Sequence, residues 1–279
     1  MFGIRTLSKM LFAVITLSLI TSCNGIRTSD SRATSTAQAD RAIRMATAIA
    51  EDWHSTTEVI HQQALATADA SLSLFEETSK WPLAFNETYN ENSRGWAEGS
   101  EDDPEYANSK WSIEDGKYIW EAEAYDGFIW WVRPDMEMFS DFQLAVNAKP
   151  VINSDFGEYG LIFRQMDAKN YYLFELDGRG NYAFYINYQG EWESLLGWKY
   201  SSEIVLGEEN RLSVIAKGDE YLFFINDAFI DAYQDDRLKS GRAGLLIGLG
   251  NPGEEGAWEF DDFVIRVMSE NAGTGTPTP

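Results

Sequence analysis

Histidine, cysteine and positive charge are all scarce in this sequence. Its 279 residues include two histidines, one cysteine, and 22 lysines and arginines against 45 aspartates and glutamates. So few histidines and cysteines exclude a disulfide framework and a zinc site built from histidine and thiolate ligands. A catalytic triad would have to use His54 or His61. The formal net charge of −23 argues against DNA or RNA as a partner, because phosphate binding requires clustered Lys and Arg.

The sequence does contain enough apolar material for a packed core. Hydrophobic residues make up 44% of the chain and aromatic residues 14%, a composition that is not typical of disordered proteins. The length favours one or two domains. A single cysteine cannot form an internal disulfide, so we expect the core to supply the stability.

The first residues have the pattern of an export signal. Arg5 and Lys9 precede an uncharged apolar run over residues 10–20, which is too short for a transmembrane helix and typical of a signal-peptide core. The run leads into Leu-Ile-Thr-Ser-Cys, ending at Cys23, which resembles the lipobox of bacterial lipoproteins. The resemblance implies a signal peptide over residues 1–22, lipidation of Cys23 and an extracytoplasmic protein anchored to the bacterial cell membrane. A plain secretory signal with an incidental cysteine is the alternative.

A spacer follows Cys23. Residues 23–36 are rich in Ser, Thr and Arg and predict a flexible tether. Residues 37–80 carry apolar side chains at three- and four-residue spacing, which predicts a helical stalk. This stripe is thin, so we expect the stalk either to self-associate with another chain or to pack on the domain. His54 and His61 have no third ligand nearby in the sequence, which favours a solvated helix surface over a metal site.

Residues 85–268 have the pattern of an all-β domain. Short runs of alternating apolar and polar residues recur between turn signals, which include Asp115-Gly116, Asp126-Gly127, Gln189-Gly190 and Asn226-Asp227. About a dozen strands of this kind imply two stacked antiparallel sheets or a barrel. Near the end, a switch of the apolar parity predicts a β-bulge at Asp261-Asp262. The low-complexity tail over residues 269–279 is predicted to be disordered.

A series of motifs in this domain resembles a known superfamily. In chain order they are Tyr159–Arg164, Asn170–Phe174, Gly190–Trp192, Asn210–Val214, Phe224–Asn226, Gly241–Leu245 and Phe260–Phe263. Together they are similar to the concanavalin A-like lectin/glucanase superfamily, and within it to laminin-G-like and 3-keto-disaccharide hydrolase-like domains. The resemblance implies a two-sheet antiparallel jelly-roll sandwich with a concave face, on which members often bind or cleave glycans.

The pairing of two strands predicts which residues share a face. Residues 159–165 and 170–177 would form a hairpin in which Phe163 opposes Phe174 and Leu161 opposes Leu176, all pointing into the core. Residues 181–188 would extend the same sheet. The opposite face then carries the candidate ligand-binding residues, which are Arg164, Tyr171, Glu175, Tyr185, Asn187, Trp192 and Trp198.

This face has the chemistry of a glycan site. Aromatic rings stack on the apolar faces of sugars, and Arg, Glu and Asn side chains form directional hydrogen bonds with hydroxyl groups. We therefore expect a glycan, or another extracellular ligand, as the partner. In the alternative interpretation the aromatic residues only pack within the sheet, and Arg164 forms a structural ion pair with Glu175.

Catalysis would require paired carboxylates. Laminarinase-type members of the superfamily carry Glu-x-Asp-x-(x)-Glu on one strand. The comparable segment begins Glu175-Leu176-Asp177 but has glycine where the acid/base residue would stand. No catalytic residue is predicted, and we expect a non-catalytic module. The alternative is a cell-surface glycoside hydrolase of the 3-keto-disaccharide hydrolase or laminarinase-like type. Its carboxylates would pair across strands, with Glu191 or Glu193 as the first partners to examine for Glu175.

An acidic run precedes the predicted core and is a candidate calcium site. It comprises Glu98, Glu101, Asp102, Asp103 and Glu105. Carboxylate oxygens suit calcium, and jelly-roll relatives often hold a structural calcium. The run lacks the EF-hand spacing, however, so a solvated loop is the favoured interpretation. Asp261 or Asp262 is a second candidate ligand. We expect no other cofactor.

Overall fold

The structure, a computed structural model, describes residues 47, 62–63, 66–152 and 154–268. The predicted signal peptide, Cys23, the tether, both histidines, the tail over residues 269–279 and most of the predicted stalk lie outside the described residues. The chain divides into two compact units after Gln62, and the β-strands lie in the second unit. Among the described residues, no helix is both long and apolar enough to cross a membrane.

The domain consists of two antiparallel sheets. The nine-stranded sheet contains β1 (Leu83–Glu87), β2 (Gly99–Asp103), β3 (Ala107–Glu114), β4 (Lys117–Ala124), β6 (Phe142–Ile152), β11 (Asn210–Lys217), β12 (Glu220–Ile225), β13 (Ala228–Gln234) and β15 (Glu255–Arg266). The six-stranded sheet runs in the order β10 (Glu191–Tyr200), β9 (Asn181–Tyr188), β8 (Asn170–Asp177), β7 (Glu158–Asp167), β14 (Arg242–Leu249) and β5 (Phe128–Val132). The predicted all-β sandwich is confirmed.

Several hairpin turns lie where the sequence predicts them. Asp115-Gly116, Gln189-Gly190 and Asn226-Asp227 join consecutive strands, and all of these residues have positive φ, as the tight turns of twisted hairpins require. The predicted bulge in β15 is also confirmed. The pairing of β15 with β6 shifts after Asp261, and the φ of Asp262 is 50°.

Aromatic side chains fill the space between the sheets. Phe163 of β7 and Phe184 of β9 are fully buried, with parallel rings whose centroids are 6.0 Å apart. Phe184 also contacts Phe223 of the other sheet at 4.7 Å. The inward-pointing residues alone therefore form the core. The outward-pointing residues of the same strands are not needed for it and can be polar or bind a ligand.

A helix covers part of the nine-stranded sheet. Residues 66–78 form α1, and the Phe75 ring lies 4.6 Å from the ring of Phe224 on β12. Leu74 packs into the same apolar cluster, which includes Ile215 and Leu222. These sheet residues alternate with core residues, so α1 lies on the side of the sheet that points away from the core. For this segment, the structure has the second of the two expected arrangements, packing on the domain.

The predicted register between β7 and β8 is wrong by two residues. Phe163 pairs with Tyr172 rather than Phe174, and Leu161 pairs with Phe174 rather than Leu176. The cause is an irregularity between Phe163 and Asp167, where Arg164 has a φ of 45°. A shift of two residues preserves the faces of the strands, so Phe163 and Phe174 both point into the core as predicted.

Candidate functional site

The candidate site lies on the side of the six-stranded sheet that points away from the nine-stranded sheet, a surface we name the outer face. Alternation along β8 places Tyr171, Leu173 and Glu175 on the outer face, since Tyr172 and Phe174 between them are in the core. Tyr185 and Asn187 of β9 are paired with Leu173 and Tyr171 and share that face. The predicted faces of β8 and β9 are therefore confirmed.

Aromatic rings form a contiguous layer over the outer face. The ring of Tyr171 contacts Trp131 of β5, with 4.9 Å between centroids, and meets Trp192 of β10 edge to face at 5.8 Å. Tyr185 and Trp198 form a neighbouring edge-to-face pair at 6.4 Å. Trp131 and Tyr171 come from strands separated by β14 and β7, so their rings extend over the strands between them.

An open cleft borders this aromatic layer. It has a volume of about 650 Å³, and its walls include Trp130, Trp131, Trp192 and Glu158. Trp192 is 50% exposed and Trp198 36% exposed, whereas Tyr171 is buried between its ring neighbours. A flat ligand could therefore reach Trp192 and Trp198 from solvent. Tyr171 is covered and instead packs against the rings of Trp131 and Trp192.

The predicted position of Arg164 is wrong. Its side chain does not lie on the outer face but is fully buried. The guanidinium donates hydrogen bonds to the carbonyl oxygens of Ser140, Gly218 and Leu238 and to the Tyr221 hydroxyl. Gly218 and Tyr221 belong to the nine-stranded side of the sandwich. The bulge at Arg164 reverses the alternation of β7 there, so this residue cannot contact a ligand on the outer face.

Two glutamates lie close together on the outer face. Glu158 of β7 pairs with Asp177, and Glu175 pairs with Gly160, two residues further along the same two strands. The neighbour of Glu158 on β14 is Gly248, and a Cβ atom there would approach the Glu158 carboxyl to 2.9 Å. The Glu158 carboxyl therefore lies over Gly248, where the glycine leaves room for it, and borders the cleft.

The two carboxyl groups differ in access to solvent. Glu175 is only 1% exposed, and its Oε2 atom has no hydrogen-bond partner among the described residues. Burial raises the pKa of Glu175 well above its ordinary range, and the charges of Glu158 and Asp177 add to this effect. Burial therefore favours the protonated, uncharged form of Glu175.

The pKa of Glu158 is also raised, to about 7. Burial is the largest cause, the charges of Asp177 and Glu254 contribute, and Arg179 acts in the opposite direction. Arg179 is already paired with Asp177, to which it donates hydrogen bonds at 2.8 and 3.1 Å. Among the described residues, Glu158 consequently has acidic neighbours and no cation of its own.

The carboxylate partners suggested for Glu175 by the sequence are wrong. Glu193 points to the other side of β10, where its carboxylate forms an ion pair with Arg237 at 2.6 Å. Glu191 has the same parity as Glu193 and is exposed. The carboxyl group that does lie near Glu175 is that of Glu158. It is four residues from Ile162 on β7 and so points to the same, outer face, which the alternation in the sequence could have shown. Trp131 was missed because β5 joins this sheet only through β14, which is distant in the chain.

The acidic run ahead of the core is largely strand and not a loop. Glu101, Asp102 and Asp103 belong to β2, which pairs with β3. Asp103 accepts a hydrogen bond from the backbone N–H of Glu105 in the following turn. In the part of the chain that the structure describes, no group of three or more His, Cys, Asp or Glu side chains is placed to hold a metal ion. The calcium site stays a prediction.

Solved structures place this architecture among known folds. A protein of unknown function with a galectin-like fold from Bacillus subtilis superposes with a TM-score of 0.50 at 14% identity, over 67% of this chain and 97% of that one. A GlcNAcα1-4Gal-releasing endo-β-galactosidase from Clostridium perfringens gives 0.51 at 8% identity, over 68% and 64% of the two chains. The fold is a concanavalin A-like jelly roll.

The jelly roll agrees with the resemblance seen in the sequence motifs. The carbohydrate-binding module CBM66 from Bacillus subtilis also aligns with it, with a TM-score of 0.46 at 19% identity over 66% of this chain and 97% of the module. The sequence matches no protein-family model and none of the curated proteins. At these identities the two neighbours with TM-scores of 0.50 and 0.51 establish the fold alone, and the activity has to be argued from the outer face itself.

Proposed function

We propose that this protein is a lipid-anchored, extracytoplasmic module that binds a glycan on the outer face without cleaving it. The observation that carries the proposal is the aromatic layer of Trp131, Tyr171 and Trp192 beside an open cleft of about 650 Å³. Sugar rings stack on exposed aromatic faces such as that of Trp192, which is 50% exposed. The anchor rests on the sequence around Cys23, and the Clostridium perfringens enzyme with the same fold makes a glycan the first ligand class to test.

Trp192→Ala is expected to weaken glycan binding about tenfold or more, because half of this side chain is available for stacking and one lost aromatic contact is worth about 1.5 kcal/mol. The measurement is a glycan array with the purified full-length chain, followed by titration of the strongest ligand. Leu83→Ala, which removes a side chain of similar exposure from β1 of the other sheet, is the matched control. If the folded wild-type protein binds no glycan on the array, the proposal is wrong.

Hydrolysis is the second candidate, and Glu158 is the observation that favours it. A pKa of about 7 is in the range a general acid requires. A retaining mechanism would also need an ionised nucleophile that reaches the sugar, whereas Glu175 is only 1% exposed and its burial raises its pKa, which disfavours the ionised form. We therefore expect no release of shorter oligosaccharides when the array ligands are incubated with the protein and analysed by chromatography. Product release that Glu158→Gln abolishes would establish hydrolysis instead.

A further inference from the structure

The cleft combines aromatic walls with one carboxyl group, that of Glu158. Its aromatic lining consists of Tyr106, Phe128, Trp130, Trp131 and Trp192, and Glu158 is the only charged side chain among the described residues that line it. Neutral sugars need hydrogen-bond donors and acceptors spread around a ring. A carboxyl group surrounded by aromatic faces is instead the arrangement that binds organic cations, because both the charge and the ring faces attract them.

The charges around Glu158 are unbalanced toward the negative. Asp177 and Glu175 of β8 and Glu254 of the loop after β14 all lie near it, and Arg179 is the one cation of the described chain that acts on it. Arg179 is held by Asp177 through two hydrogen bonds. Glu254 is also satisfied, by the backbone N–H groups of Gly250 and Asn251 and by the Ser154 hydroxyl. The described surroundings of Glu158 therefore lack the positive charge that would complement it.

A second carboxyl group beside Glu158 also lacks a partner. The Oε2 atom of Glu175 is fully buried and makes no hydrogen bond in the described part of the chain. Burying a polar atom without a hydrogen bond costs folding free energy. A nearby cation stabilises the ionised form of a buried carboxyl group. Glu175 is not among the described residues that line the cleft, but a cation bound to Glu158 would offset the electrostatic effect of Glu158 on this second carboxyl group.

We infer that the cleft recognises a positively charged amino group on the glycan, held between the aromatic walls and the Glu158 carboxylate. This inference rests on the proposed function and specifies its ligand class as amine-bearing rather than neutral sugars. A metal ion fits the cleft less well, because aromatic walls supply no oxygen ligands and no metal-binding group of three side chains occurs among the described residues. The net charge of −23 would also attract a cationic glycan to the protein.

The test compares two ligands of equal length, a tetramer of glucosamine and its N-acetylated counterpart, by calorimetry with the full-length chain. The titration is done at pH 7, where a pKa of about 7 leaves roughly half of the Glu158 carboxyl ionised in the free protein and a protonated amine in the cleft favours the ionised form further. The wild-type protein is expected to bind the amine tetramer about tenfold more tightly than the acetylated one, which corresponds to about 1.4 kcal/mol. In Glu158→Gln the two affinities are expected to become equal, because the amide keeps the shape of the carboxyl but cannot ionise.

The control is Glu191→Gln, which removes the same charge one residue from Trp192 but on the other side of β10 and should leave the preference unchanged. Binding of the acetylated tetramer by Glu158→Gln would show that its outer face is intact. Equal binding of both tetramers by the wild type would overturn the inference while leaving glycan binding established. Binding of neither would also overturn it, and the glycan array then decides separately whether the outer face binds glycans.

Discussion

Arg164→Ala is expected to lower the free energy of unfolding by about 4 kcal/mol, because several buried hydrogen-bond acceptors lose their donor at once. These acceptors are the carbonyl oxygens of Ser140, Gly218 and Leu238, at bonds of 2.8 to 2.9 Å in the intact protein. The substitution also removes the cation that lies 4.9 Å from the centre of the Tyr221 ring. In thermal unfolding the melting temperature should fall by roughly 10 °C.

The matched control for this substitution is Arg133→Ala, at an exposed arginine just after β5. It should change the unfolding free energy by about 0.5 kcal/mol or less. If both variants unfolded like the wild type, the network around Arg164 would have no role in joining the sheets. Glycan binding at a temperature where Arg164→Ala remains folded should be unchanged, because this residue does not reach the outer face.

Raising the pH from 5 to 8 is expected to destabilise the protein by about 2.5 kcal/mol through Glu158 alone. Its pKa is about 7 in the folded chain against an ordinary 4.5. The folded state therefore holds a proton that the unfolded state has lost in this range. The stabilising contribution is complete below about pH 4.5 and disappears as the pH rises through 7. Burial also raises the pKa of Glu175, which therefore acts in the same direction.

Urea unfolding at a series of pH values measures this effect. A double variant, Glu158→Gln with Glu175→Gln, should lose most of the decline and should be more stable than the wild type at pH 8. Glu191→Gln, at an exposed position, should decline as the wild type does. A wild-type stability that stays constant from pH 5 to 8 would contradict the raised pKa values of both glutamates.

The strands and their faces could be predicted because they depend on local patterns. Period-two alternation fixes which side of a strand is apolar, so the inward positions of Phe163, Phe174 and Phe184 followed from the sequence. Turn chemistry located the hairpins for the same reason. The bulge in β15 was also visible, since one extra residue inverts the alternation on either side of it.

The site was only partly predictable, because two of its features depend on distant parts of the chain. Arg164 continues the alternation of β7 in the sequence, and nothing local shows that its backbone turns to a φ of 45° and sends the side chain inward. Its partners Gly218 and Leu238 are more than fifty residues away. The rings of Trp131 and Tyr171 meet across β14 and β7, the two strands that lie between β5 and β8 in the sheet. Such contacts follow from the order of strands in the sheet, which alternation alone does not determine.

The docking of α1 through Phe75 has a consequence for how a large ligand could approach. The helix lies against the nine-stranded sheet, on the side of the sandwich remote from Trp192. A long polymer could therefore lie along the tryptophan side without meeting α1. The surface that α1 covers and the surface offered to a ligand are separated by the thickness of the sandwich.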